Sequence, residues 1–245
     1  VGNLFQLLML DTRSIYRDKQ LNIEDYFDGN SINKSKYKRD LSVDRKLIGL
    51  EQMLWIKNNL NKKFKWSIIG QQVLMAQVYL PTIFANMNKK ILPDYLHKYL
   101  KIGGANVPYN TDAWDGYPKE RERLFKELIK ANSVLVLTGD THNSWLNNLF
   151  DKNNNFIGVE IGTPAISSPN TIDTFGSLTD GIEEGFIKEN KNVKWTEGKH
   201  KGYTLLKLTK DKSEVSFIYV NTVKSKVYEV KDTNKFSVKP NTPII

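Results

Sequence analysis

The spacing of apolar and polar positions divides the chain into short strands and amphipathic helices. Residues 4–10 form an apolar run that reads as a buried strand and ends in Asp11-Thr12-Arg13. Residues 14–45 are polar and charged and read as a long excursion or lid. Ile48, Met53, Leu54, Ile56 and Leu60 recur at helical spacing, which predicts an amphipathic helix over 48–60. Strand character returns over 64–75, interrupted by Gly70-Gln71-Gln72. Pro81, Pro93, Pro108 and Gly103-Gly104 predict loops around a short helix at 93–100. Pro118 suits the first turn of a helix that runs to 132, with Leu124, Phe125, Leu128 and Ile129 as its buried face. Strands follow at 134–137 and 156–161, then a helix near 182–189. Residues 202–208 and 214–220 read as two strands joined by the turn Lys210-Asp211-Lys212. From Lys231 the chain is polar, with two prolines, and reads as a tail that frays or lies along the surface. This order predicts a layered α/β or α+β fold.

Composition changes the picture in four ways. A chain of 245 residues, 40% hydrophobic and 26% charged, can bury a sizeable core. No run approaches the roughly 20 apolar residues of a membrane span. The net charge of +9 comes from lysines dispersed among asparagines, without an Arg-rich block, so no nucleic-acid module is predicted. The absence of Cys excludes disulfides and thiolate metal ligands from this chain. The chain also opens on Val1 and runs straight into a strand, which reads as a piece whose N-terminal part is absent.

The candidate chemistry gathers at strand exits, where open α/β sheets place their sites. Residues 134–142 run from a buried strand into Gly139-Asp140-Thr141-His142. A carboxylate and an imidazole two residues apart suit a divalent or trivalent metal. The plainer alternative is an Asp capping a following helix beside a surface His. Arg13 offers a planar fork for phosphate oxygens, or for an ion pair with Asp11 or another acid. Gln71 and Gln72 either donate to a ligand or satisfy irregular backbone nearby. His97 reads as a histidine of a short helix and His200 as a loop residue between two lysines. Trp114 and Asp115 precede a helix, as a turn or as the wall of a pocket. One Asp and one His leave any metal under-coordinated.

The motifs resemble PhoD-type alkaline phosphatases in order along residues 4–223. They are Leu10-Asp11-Thr12-Arg13 with Tyr16-Arg17, Gly49-Leu50-Glu51-Gln52 with Trp55, and the run from Trp66 to Val73. Then come Trp114-Asp115-Gly116-Tyr117-Pro118 with Glu120-Arg121 and Arg123-Leu124, and Leu137 to Trp145. Glu160 to Thr163, Ser167-Ser168-Pro169 and His200-Lys201-Gly202-Tyr203 complete the series. The resemblance implies a calcineurin-like metallophosphatase core, two packed sheets flanked by helices, with its N-terminal half missing. It implies that residues 1–230 are the C-terminal part of that domain and 231–245 a tail. It implies hydrolysis of phosphate mono- and diesters with iron and calcium, with Asp140 and His142 as metal ligands and the remaining ligands in the absent half. It implies an exported protein. Where many members read Asn-Pro-His before the Gly-Tyr strand, this chain reads Asn190-Lys191-Asn192, which removes a His expected near the site. Two other readings stay open: a phospholipase D-like phosphodiesterase, and a non-catalytic fragment that binds phosphate or polyanions. Half a layered core also predicts that the chain folds poorly alone.

Overall fold

The structure, a computed structural model, describes residues 2–245. Val1, on which the reading of an absent N-terminal part leans, lies outside them. In chain order, β1 (Phe5–Met9) leads to a two-rung ribbon of β2 (Phe27–Asp28) and β3 (Ser31–Ile32), then α1 (Lys34–Leu41), α2 (Gly49–Asn59) and β4 (Trp66–Gly70). An irregular stretch containing α3 (His97–Ile102) ends at α4 (Pro118–Leu128). Three strands follow, β5 (Val134–Thr138), β6 (Ser144–Phe150) and β7 (Phe156–Gly162), then α5 (Thr171–Phe175), α6 (Thr179–Glu189) and β8 (Val193–Glu197). The last three strands are β9 (Lys201–Leu208), β10 (Ser213–Val220) and β11 (Val230–Val238).

Six strands form one mixed sheet in the order β1-β4-β5-β7-β6-β8. The first four positions are parallel, and β6 runs antiparallel to both neighbours. Five strands therefore point the same way, and their exits share one edge of the sheet. The alternation along β5 shows how the sheet serves two cores. Val134 and Val136 pack with the helices, while Leu135 packs on the opposite face. On that second face lies an antiparallel sheet, β11-β10-β9, which brings Val215, Phe217 and Tyr219 against Trp66, Leu146 and Ile161.

Several local features explain the helical layer. Pro118 opens α4, where its missing N–H is no loss. Glu120 of α4 reaches across to the start of α2 and accepts from the backbone N–H groups of Leu47, Ile48 (3.0 Å) and Gly49 (3.2 Å). A carboxylate there satisfies orphan donors and suits the positive end of the helix dipole. Gly49 has φ +73°, and a Cβ would fall 2.6 Å from the Tyr16 Cβ, so the turn into α2 requires glycine.

Three expectations are corrected. Residues 14–45 are no lid, because Ile23, Tyr26, Ile32, Tyr37 and Leu41 are buried in the helical core. The stretch from Lys231 is no loose tail, because β11 pairs with β10 from Val230 to Val238. No helix follows Asp140-His142; the chain turns directly into β6. Among the described residues no helix is long and apolar enough to cross a membrane.

Candidate active site

The shared sheet edge collects the exits of β1, β4, β5, β7 and β8. The exit of β5 is the tightest. Asp140 and His142 both adopt left-handed backbone, with φ of 67° and 64°. Asp and His tolerate that region better than most side chains, and such residues concentrate at functional turns. The turn is held by Thr141 N–H donating to the Gly139 carbonyl (2.8 Å) and Gly139 N–H to the Gln72 carbonyl (3.1 Å). Thr163 N–H donates to the Thr138 carbonyl (2.9 Å), which ties the β7 exit to the same turn.

Around it lies a charged cluster. Arg13 Nη2 sits 2.6 Å from Asp140 Oδ2, and its Nη1 sits 2.6 Å from Asp112 Oδ2. Arg17 binds the other Asp112 oxygen at 2.5 Å. One guanidinium therefore bridges two carboxylates drawn from residues far apart in the chain. Arg13, Asp112 and Asp140 are roughly one-third exposed, so their pairing contributes modestly to stability while fixing direction. Thr12 is anchored through Gln72 Oε1, which accepts from its N–H (2.9 Å) and hydroxyl (2.5 Å).

His142 Nδ1 lies 2.7 Å from the Pro169 carbonyl oxygen. A carbonyl can only accept, so Nδ1 carries a proton, and in the neutral imidazole Nε2 is then the atom with the lone pair. That is the tautomer a metal-binding imidazole needs, oriented by a backbone carbonyl. His200 is held in a parallel way, with Nδ1 2.8 Å from Glu197 Oε1 and its ring beside Tyr219. The side-chain amide of Asn170, next to Pro169, donates to the His200 carbonyl (3.2 Å) and links the two histidine turns. His200 Nε2 faces Lys231 Nζ at 3.3 Å.

The other sequence candidates separate cleanly. Gln71 accepts from Trp114 Nε1 (3.1 Å) and Val73 N–H (3.1 Å), so it satisfies irregular backbone and core. Asp115 is buried, pairs with Arg121 (2.7 Å) and accepts from Val78 N–H (3.0 Å); burial raises its carboxyl and Arg121 opposes that. Trp114 is core. His97 is the first residue of α3 and contacts the Lys89 and Leu92 carbonyls in the turns just before it. Asn190-Lys191-Asn192 precedes β8 at the end opposite Glu197 and His200, and Asn190 caps the Tyr79 backbone there. The departure from Asn-Pro-His therefore lies away from this edge. Asp112 escaped the sequence reading, because nothing in the irregular run before it ties it to Arg13.

The donor set fits two ligands of a metal site. His142 Nε2 is free, and one Asp140 oxygen remains beside the one that Arg13 holds. Among the described residues no group of three His, Cys, Asp or Glu side chains converges to hold an ion. Beside Asp140 the sheet is open: a cavity of about 640 Å³ runs over Leu7, Met9, Leu137, Ile161 and Leu206.

Comparison with known proteins gives the family. The PhoD-like phosphatase family matches residues 1–217. Alkaline phosphatase D of Bacillus subtilis is 33% identical over 216 residues, which is 85% of this chain and 31% of that protein. A solved structure titled "Structure of PhoD" superposes with a TM-score of 0.69 at 26% identity, over 97% of this chain and 40% of that one. The chain thus spans about a third of the curated relative. Over that span, it belongs to the PhoD-like phosphatase family.

Proposed function

We propose that this chain carries part of the active site of a metal-dependent phosphoesterase, in a calcineurin-like sandwich completed by sequence outside these 245 residues. The observation that carries the reading is the Asp140–His142 turn. It presents a carboxylate oxygen and an imidazole Nε2 with no other partner among the described residues at the shared edge of five strand exits. Asp140 and His142 would hold metal, iron and calcium by family resemblance. When bound, such ions neutralise phosphate charge and lower the pKa of a bound water. Arg13 holds Asp140 in place and is the candidate phosphate contact, since a guanidinium that bridges two carboxylates can exchange one for phosphate oxygens. Two features support ligands from a further segment: the donor set stops at two, and the apolar cavity beside Asp140 is what packed strands would cover.

One observation favours a second reading, a non-catalytic phosphate-binding piece: the same shortage of ligands. Elemental analysis of the purified chain beside His142→Ala separates the two. Iron or calcium near one equivalent, lost in the variant, supports the metal reading. If no tight metal is found, and a longer polypeptide that includes the preceding sequence is equally metal-free and inactive on phosphate mono- and diesters, the metal reading fails.

A further inference from the structure

Behind the Asp140–His142 turn, on the helical side of the sheet, lies a cavity of about 550 Å³. Its volume is in the range of small-molecule sites. Its walls are unusual for this chain in being ringed by aromatics: Phe84, Tyr99, Tyr109, Trp145, Phe175 and Phe186. They form a continuous edge-to-face network, with Phe84 contacting Tyr99, Phe175 and Phe186 at centroid distances of 6.1, 5.4 and 6.4 Å. Trp145 and Phe186 are 5.2 Å apart, and Tyr99 and Tyr109 are 6.4 Å apart. A ring entering such a box meets aromatic edges and faces in the arrangements that aromatic pairs prefer.

Two further facts point to a ligand. Tyr99 and Tyr109 are half-buried in this wall, and their hydroxyls make no hydrogen bond to the described residues, which leaves them open toward the cavity as donors or acceptors. The cavity also borders the candidate site directly. Thr141 and Asn143, which alternate with Asp140 and His142 along the turn, line it, and the Trp145 indole N–H donates to the Thr141 hydroxyl (2.8 Å). Asp112 lines it too, and a single guanidinium separates Asp112 from Asp140. Lys19 and Lys98 are among the lining residues, and the Lys98 ammonium, 3.8 Å from Glu24 and over the Tyr99 ring, adds positive charge to this wall.

We infer that this cavity is the leaving-group pocket of the enzyme and selects phosphoesters whose alcohol carries a flat aromatic ring. The phosphoester part rests on the function proposed above; the selectivity for an aromatic ring rests on the cavity alone. A phosphoryl group at Asp140 and His142 would leave the ester oxygen directed past Thr141, with the ring among Phe84, Phe175 and Phe186. The unpartnered phenols and Asn143 would meet polar atoms on the ring edge, which an aryl group lacks and a nucleoside base has.

The test is binding to the full chain by calorimetry, with two phosphonates, benzylphosphonate and methylphosphonate, that share one head group, and adenosine 5′-monophosphate as a phosphate ester that carries a nucleoside. Benzylphosphonate is expected to bind about tenfold or more tightly than methylphosphonate. Phe175→Leu keeps an apolar side chain but removes a ring; it is expected to abolish most of that preference while its thermal transition stays in place. A nucleotide that binds more tightly than benzylphosphonate, with the same sensitivity to Phe175→Leu, supports the pocket with a nucleoside as the ring source. A nucleotide that binds less tightly supports it with an aryl source. Equal affinities for benzyl- and methylphosphonate, no binding of benzylphosphonate at millimolar concentration, or an unchanged preference in folded Phe175→Leu each overturn the pocket. His142→Ala separates the two proposals. A benzyl preference that survives in His142→Ala, whatever the metal content, leaves the pocket standing independently of the metal reading. Metal lost in His142→Ala, with equal affinities for benzyl- and methylphosphonate in the wild type, keeps the metal reading and overturns the pocket.

Discussion

The two faces of the six-stranded sheet are finished to different degrees. On the helical face a single core runs from Leu8 through Ile69, Val136 and Trp145 to Phe186, and its buried carboxylates Asp115, Glu120 and Glu160 are all hydrogen-bonded. Asp115 meets Arg121, and Glu120 caps α2. On the opposite face the three-stranded sheet reaches Trp66 and Ile68 of β4 but leaves the end near β1 open. Leu7 and Met9 are 51% and 62% exposed there, although they alternate with the buried Leu8. The free edge of β9 borders the same opening, since β9 pairs with β10 alone. Both faces come from strands of the same apolar character, so local sequence does not explain the difference. A partner layer does, and the candidate site sits where that layer stops.

The largest expected effect lies on the closed face. Arg121→Met leaves Asp115 buried without its cation and should destabilise the chain by about 3–5 kcal/mol in urea unfolding. The double change Arg121→Met with Asp115→Leu removes both charges and should lose less than the single one, because replacing a buried pair is milder than breaking it. A double variant less stable than Arg121→Met would show that the pair contributes more than its desolvation costs, and would weaken the contrast drawn between the faces.

The next effect is a pH dependence. Glu160 on β7 is fully buried, accepts from the Met75 N–H (2.5 Å), the Ala76 N–H (3.0 Å) and the Asn147 amide (2.9 Å), and is pushed up to about 7 by desolvation. The folded state thus keeps the Glu160 proton where the unfolded chain has released it. The stability this provides is fully present below the unfolded value near 4.5, and is lost as pH rises through about 7. The window is worth roughly 3 kcal/mol at 1.36 kcal/mol per unit. Glu160→Gln cannot ionise and should flatten the fall in stability between those limits. An unchanged slope would assign it to other groups.

How far the sequence speaks follows the same division. The β5 run and its Asp140-His142 exit are legible because a fully buried strand and its turn carry their pattern locally. β6 is not, because Asn147 and Asn148 interrupt its apolar run. The structure buries both, with the Asn147 amide on Glu160 and Asn148 exchanging hydrogen bonds with the Ile244 backbone (2.7 and 2.9 Å). Those partners are remote in sequence, so no local pattern announces the strand. β11 reads as a tail because an edge strand with one wet face needs few apolar residues. Arg13 was visible as a cation at a strand exit. That it bridges Asp112 and Asp140 was not, since the fold alone brings them together.

The smallest expected effect is the sharpest check on the comparison. Leu7→Thr and Met9→Thr place a β-branched residue, which suits a strand, in β1 and touch side chains that already face water. Each should change unfolding free energy by no more than about 0.5 kcal/mol, the range of ordinary surface substitutions. The same exchange at Leu8, which is 3% exposed on the other face, should cost about 2 kcal/mol or more. The open face should also respond in a second way. With apolar area removed, the purified chain should self-associate less, read by sedimentation at rising concentration. If Leu7→Thr proves as damaging as Leu8→Thr, the face near β1 is already covered within this chain. The opening beside Asp140 would then be no place for further strands, and the missing metal ligands would have to be sought elsewhere.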